Sequence, residues 1–152
     1  MEYNPALLVA NTILHHCFKH GFAITHMKLQ KLIYFVYKHH LKQTGEVLFD
    51  EPFLAWKQGP ALRSVYDIFK DFAATDINRY LIFGGEKSPR VLSRDNKEFY
   101  SAMDYVLKQY QALSGLQLKQ LVSFSDTAWA KAIARQDGRL KKVDIWNERW
   151  YG

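Results

Sequence analysis

The chain has 152 residues, of which 48% are hydrophobic and 15% aromatic, with a formal charge of +6 and one cysteine, Cys17. That length supports one domain with a genuine core, the composition excludes a disordered or low-complexity chain, and a lone cysteine excludes an intrachain disulfide. No apolar run approaches the roughly eighteen residues of a membrane span and no charged-then-apolar leader opens the sequence, so a cytoplasmic protein with no membrane association is expected, while the positive charge favours an acidic partner.

Asn4 and Pro5 suit a helix opening, cap and first position, and Leu7, Ala10, Leu14 and Cys17 follow at helical spacing up to Gly21. A second helix is predicted from Thr25 to Thr44-Gly45, with Leu29, Leu32, Ile33, Val36 and His40 on one face. Between Glu46 and Pro60 the period lapses into an extended or irregular stretch, and Leu62, Val65, Tyr66, Phe69 and Phe72 restore it, so a third helix is placed from about Pro60. Tyr80 to Phe83, Gly84-Gly85 and Arg90 to Leu92 suggest a small hairpin. Ser93 or Asp95 then caps a fourth helix bearing Phe99, Met103, Val106, Leu107 and Tyr110, with Asp95 and Glu98 spaced as a capping box. Ser114 and Gln117 repeat that spacing before Leu118, Leu121 and Val122; a further helix is predicted from near Asp126 to Gly138, and a last segment carries Val143, Trp146 and Trp150. The pattern describes a mainly α, compact single-domain fold of about six or seven helices with a small β-hairpin or extended segment.

Catalytic chemistry finds little footing in these residues. His16 and His20 would share a helix face beside Cys17, but there is no HExxH or CxxC, and His39-His40 lie between Lys38 and Lys42, so no metal is expected. GxSxG, GxxxxGK[ST] and GxGxxG are all missing, Cys17 falls on an apolar helix face, and neither an enzyme nor a cofactor is expected.

Two regions carry charge that asks for an explanation. On the second helix Lys28, Lys31, Lys38 and Lys42 fall with Phe35 in one sector at about 100° per residue. That sector reads either as a solvated face or as a basic stripe able to track a phosphate backbone. In AWKQGPALRSVY, residues 55 to 66, Gly59-Pro60 reads as a helix start whose free N–H groups face Lys57 and Gln58. Arg63 would then sit in a first turn, against the helix dipole, with no acidic residue between it and Lys57, which points to an anionic contact. Trp56 is expected to be chiefly a core anchor, and Tyr66 to pack with Leu62 and Phe69.

The segments Met27-Lys28-Leu29-Gln30-Lys31-Leu32-Ile33-Tyr34, Thr44-Gly45 through Phe49-Asp50, Ala55-Trp56-Lys57-Gln58-Gly59-Pro60 and Ser64-Val65-Tyr66, in that order and at those distances, resemble the SocA-like, or Panacea, antitoxin domain. The resemblance covers residues 4 to about 72 well; Val91-Leu92-Ser93, the fourth helix, and Leu118 with Leu121 fit more loosely. Where the family tends to show a Thr-His pair and then Pro-Trp, this chain has Val122-Ser123 and Ala128-Trp129. The resemblance implies a bacterial or phage-encoded antitoxin that neutralises a cognate protein toxin by direct binding, with delivery of the toxin to the ClpXP protease as a described variation. It implies one Panacea domain over residues 1–152 with no appended DNA-binding domain.

Combining both lines gives a non-enzymatic antitoxin whose partner-binding surface comprises Trp56, Lys57, Gln58, Arg63 and Tyr66. The alternative is a nucleic-acid-binding module using Lys28, Lys31, Phe35, Lys38 and Lys42, which the resemblance does not favour.

Overall fold

The computed structural model describes residues 4–80 and 90–149. Helix α1 spans Pro5–Lys19, opened by the Asn4 side chain accepting from the amide of Ala6. Helix α2, His26–Thr44, is capped by Thr25 and closed by Gly45 in the left-handed conformation at φ 77°. Both ends agree with the sequence signals, because Asn and Thr accept from free first-turn amides and glycine tolerates positive φ.

The surroundings of α2 are where the structure departs from expectation. Helices α1, α4 (Lys97–Tyr110), α5 (Gly115–Leu121) and α7 (Lys142–Asn147) and a strand all pack on it, so it is covered on every side. Leu29, Leu32, Ile33, Tyr34, Phe35 and Val36 are completely buried, each contributing about 1.5–3 kcal/mol for the larger side chains. Phe35 stacks on Tyr110 at 4.6 Å between ring centroids, and Tyr34 meets Phe53 edge-on at 5.1 Å. Phe35 is therefore core, outside any solvated sector. Helix α4 supplies the matching apolar stripe through Phe99, Met103, Val106, Leu107 and Tyr110. Cys17 is buried as expected, and burial pushes its thiol up to about 11.

A hairpin is present at the end of the stretch that the sequence marks as extended or irregular. Strand β1 is Leu54–Trp56 and β2 is Gly59–Ala61, paired antiparallel with Leu54 opposite Ala61 and Trp56 opposite Gly59, leaving Lys57-Gln58 as the turn. Residues 81–89, where most of the expected hairpin falls, lie outside the described residues. The outer side of β1 is also used: Ala55 donates to the Gly138 carbonyl at 2.9 Å and Leu140 donates to Phe53 at 2.9 Å. That makes β2 the edge strand, the position in a sheet that accepts a proline. Pro60 is thus a strand residue rather than the first residue of a helix.

Helix α3 starts three residues later than predicted, at Arg63, and runs to Phe69. Its first turn is compensated from elsewhere in the chain: Glu51 accepts from the Ser64 amide at 3.1 Å and from Ser64 Oγ at 2.6 Å. The anionic contact inferred for this helix start is therefore internal. In the C-terminal half, Ser114 and Gln117 form the predicted capping box on α5. The Asp95 and Glu98 pair does not; Asn96 precedes α4 without a side-chain cap. Helix α6, Ala128–Ala134, begins two residues past the Asp126 signal and is capped by Thr127. Trp150 lies outside the described residues.

Candidate functional site

Gln30 and Lys31 join α2 to the hairpin. Gln30 Nε2 donates to the Leu62 carbonyl at 3.0 Å while the Leu62 amide donates to Gln30 Oε1 at 2.9 Å, so one buried amide side chain stands in for a strand neighbour. Lys31 Nζ donates to the Pro60 carbonyl at 3.2 Å. The lysine passes directly beneath Gly59, whose φ is +109°; a Cβ there would lie 2.7 Å from Lys31 Cε and 3.3 Å from Val122 Cγ2. Only glycine accepts both that backbone angle and that proximity. The MKLQKL and AWKQGP segments are therefore two halves of one packed junction. Gly59→Ala is expected to cost about 1–3 kcal/mol in a urea unfolding series, from backbone strain and a displaced buried lysine.

Above this junction lies a cleft of about 200 Å³, lined in part by His26, Met27, Lys31, Trp56, Gln58 and Tyr66. Trp56 and Tyr66 meet edge-on at 4.9 Å, and the Arg63 guanidinium lies 4.8 Å over the Trp56 ring. Trp56, expected to be chiefly a core anchor, is half-buried, and its carbonyl accepts from Trp129 Nε1 at 2.6 Å. Trp129, on α6, thereby ties that helix to the hairpin. Tyr66 is half-buried, whereas Lys57, Gln58 and Arg63 are exposed. The five residues Trp56, Lys57, Gln58, Arg63 and Tyr66 accordingly come from the end of β1, the hairpin turn and helix α3, at and beside the cleft.

The lysine stripe of α2 is a different matter. Lys28, Lys31 and Lys38 are 8%, 2% and 0% exposed. Lys28 Nζ donates to the carbonyl of Gln111 at the end of α4, Lys38 Nζ to Glu148 at 2.7 Å and the Arg149 carbonyl at 3.1 Å, and Lys42 Nζ to the Trp146 carbonyl at 2.7 Å. With Phe35 enclosed as well, Lys28, Lys31, Phe35, Lys38 and Lys42 do not form a solvent-facing stripe. This corrects both sequence readings of the sector, solvated face and phosphate-tracking face. The physical reason is that α2 carries apolar residues all round, and a helix of that kind is buried whatever its lysines do.

Burial sets the electrostatics. It lowers Lys28, Lys31 and Lys38, with Lys31 pushed down to about 7, helped by the neighbouring Lys119; at Lys38 the Glu148 carboxylate opposes the effect. His26 is also held below its ordinary value by burial. Sequence reasoning missed Gln30, Lys31, His26 and Glu51 as parts of the site. The available signal was two polar residues inside an all-round apolar helix, where buried polar groups must find partners.

Among the described residues no group of three or more His, Cys, Asp or Glu side chains is placed to hold a metal, and no helix is long and apolar enough to cross a membrane. No curated protein and no solved structure matches the chain significantly. The family model described as Antitoxin SocA-like, Panacea domain matches residues 29–130, a span that takes in α2 from Leu29 onward, the hairpin, the cleft lining except His26 and Met27, and Trp129. The chain belongs to the SocA-like antitoxin, Panacea domain family.

Proposed function

We propose that this chain neutralises a separately encoded protein toxin by binding it directly, without catalysis, through the surface formed by the Lys57-Gln58 turn, the Arg63–Trp56 stack and Tyr66. The observation that carries the reading is a cationic and aromatic rim on a pre-formed apolar cleft. Arg63 and Lys57 stand exposed above it, and Trp56 and Tyr66 present half-buried rings. Partly exposed aromatics with arginine are the composition that dominates binding energy in protein interfaces. The cations select an acidic toxin surface. In this proposal the chain acts as a single domain, and handing the bound toxin to a protease such as ClpXP is a second stage that binding permits.

Co-expression with the adjacent reading frame tests the reading through growth rescue and co-purification. Lys57→Glu and Arg63→Glu are expected to leave the free energy of unfolding within about 0.5 kcal/mol of wild type, as exposed substitutions do. The same changes should weaken the toxin complex at least tenfold by calorimetry, since each replaces attraction with like-charge repulsion. A neighbouring product that is harmless and does not co-purify sinks the antitoxin reading. Unchanged affinity in both variants moves the interface elsewhere. The adaptor stage is read separately, from toxin half-life in cells with and without the protease.

A further inference from the structure

Lys31 is enclosed with too few acceptors. Its side chain is 2% exposed, its Nζ has one hydrogen bond, to the Pro60 carbonyl, and the charge that acts on it, Lys119, is also positive. An ammonium has three N–H donors, so two are left without an acceptor among the described residues. His26 lies along the same cleft, 9% exposed, with its Nδ1 buried and without a hydrogen-bond partner among the described residues. The contrast with Lys38 is sharp, since that ammonium reaches a carboxylate.

A buried ammonium with one acceptor and a buried imidazole nitrogen with none, on one small cleft, are costly to maintain unless something meets them. The other walls decide what that is. Met27, Trp56, Ala61 and Tyr66 make the cleft mainly apolar and aromatic, and its volume suits a group about the size of one side chain. A phosphate dianion demands more donors than one lysine and one imidazole supply. A carboxylate needs only two or three, and an apolar stem behind it fills the remaining space. We propose that this cleft is a binding site for a carboxylate carried on a short apolar or aromatic stem, with the carboxylate on Lys31 and His26 and the stem against Trp56 and Tyr66.

The site goes beyond the toxin-binding surface, because it is defined on the isolated chain. Its ligand chemistry is common to a free organic acid and to an acidic or C-terminal residue of a protein partner. Binding also takes up a proton. The empty site releases the Lys31 proton near pH 7, whereas a bound carboxylate retains it. The titratable and charged groups around it are His26 on α2, Tyr66 and Arg63 on α3, Lys57 in the turn and Lys119 on α5; of these, His26 is held neutral by burial at pH 7.

The test uses the purified full chain with 3-phenylpropanoate and its uncharged counterpart 3-phenylpropan-1-ol, followed by heteronuclear NMR at pH 6.5 and 8.5. The acid is expected to bind at least about tenfold tighter than the alcohol at pH 6.5, the discrimination expected of a charge-assisted contact. It should shift amides in residues 26–31 and 56–61, and weaken at least about fivefold by pH 8.5 as the Lys31 proton is lost. Lys31→Met should abolish the preference for acid over alcohol. Equal binding of the two compounds, no binding of either at millimolar concentration, or shifts confined to other residues overturns the proposal. The first comparison is made on the wild-type chain, so a poorly folded variant leaves it intact. Addition of the acid to a co-purified toxin complex then identifies the source. Release of the toxin means that the protein partner supplies the carboxylate, and binding to the free chain without release assigns the site to a free acid. A chain that binds the acid but no toxin removes the antitoxin reading and leaves this one standing.

Discussion

Glu148→Ala is expected to lower the free energy of unfolding by about 3–5 kcal/mol, measured by urea denaturation, because it breaks a fully buried ion pair from one side. Glu148 Oε2 accepts from Lys38 Nζ at 2.7 Å, and Oε1 accepts from Tyr34 Oη at 2.7 Å and from the Ala128 amide at 2.8 Å. Both charged side chains have no exposure. Removing the carboxylate takes one acceptor from an ammonium, a hydroxyl and the first amide of α6 in the interior, while the Arg149 carbonyl still accepts from Lys38. The loss should be felt first in α6 and α7, as faster amide exchange over residues 128–147 than over α2. Lys38→Met combined with Glu148→Ala should cost less than the sum of the single changes, since the pair is coupled. A Glu148→Ala protein within 1 kcal/mol of wild type would refute the assignment of this carboxylate as the clasp between the C-terminal helices and α2.

The second large effect is a pH dependence from Lys31. Its amine is held near 7, by burial first and by Lys119 second, against an ordinary value of 10.5. Between those two values the unfolded chain keeps a proton that the folded chain has released, so stability rises with pH across that window. The gain is fully present above 10.5 and is lost as the pH falls through 7, where the amine must be charged inside the protein. A displacement of that size corresponds to roughly 5 kcal/mol. Unfolding free energies of wild type and Lys31→Met, measured from pH 6.5 to 10, should therefore diverge in favour of wild type as pH increases. Lys28 and Lys38 are lowered in both proteins and cancel in the difference. A difference curve that is flat, or that runs the other way, would show that Lys31 is solvated.

What the sequence disclosed and what it hid follow one physical rule. Local chemistry was legible: Asn4, Thr25, Ser114 with Gln117, and Gly45 act within a few residues of themselves, and each sits where its capping role requires. Long-range partners were not. Glu51 caps α3 from thirteen residues away, and nothing in its neighbourhood announces that. Gly59-Pro60 carries the same local constraints in an edge strand as at a helix start, so only the pairing with Leu54–Trp56 and the lysine beneath separates the two. At the candidate site the aromatic and cationic rim was readable from composition. Its floor was not, because Gln30 and Lys31 resemble ordinary polar helix residues until the hairpin is laid over them.

The lysines of α2 also change how the formal charge of +6 should be understood. Lys28, Lys31 and Lys38 are interior, against one interior carboxylate among the described residues, Glu148. The long-range field that guides an approaching acidic protein is generated mainly by charges at the solvent boundary, and an ammonium whose lone neighbour is a carbonyl beneath a hairpin contributes little to it. Diffusional capture of a partner should therefore depend on rim cations such as Lys57 and Arg63 far more than on the lysine-rich helix that dominates the sequence, and its ionic-strength dependence should report their number rather than the composition of the chain.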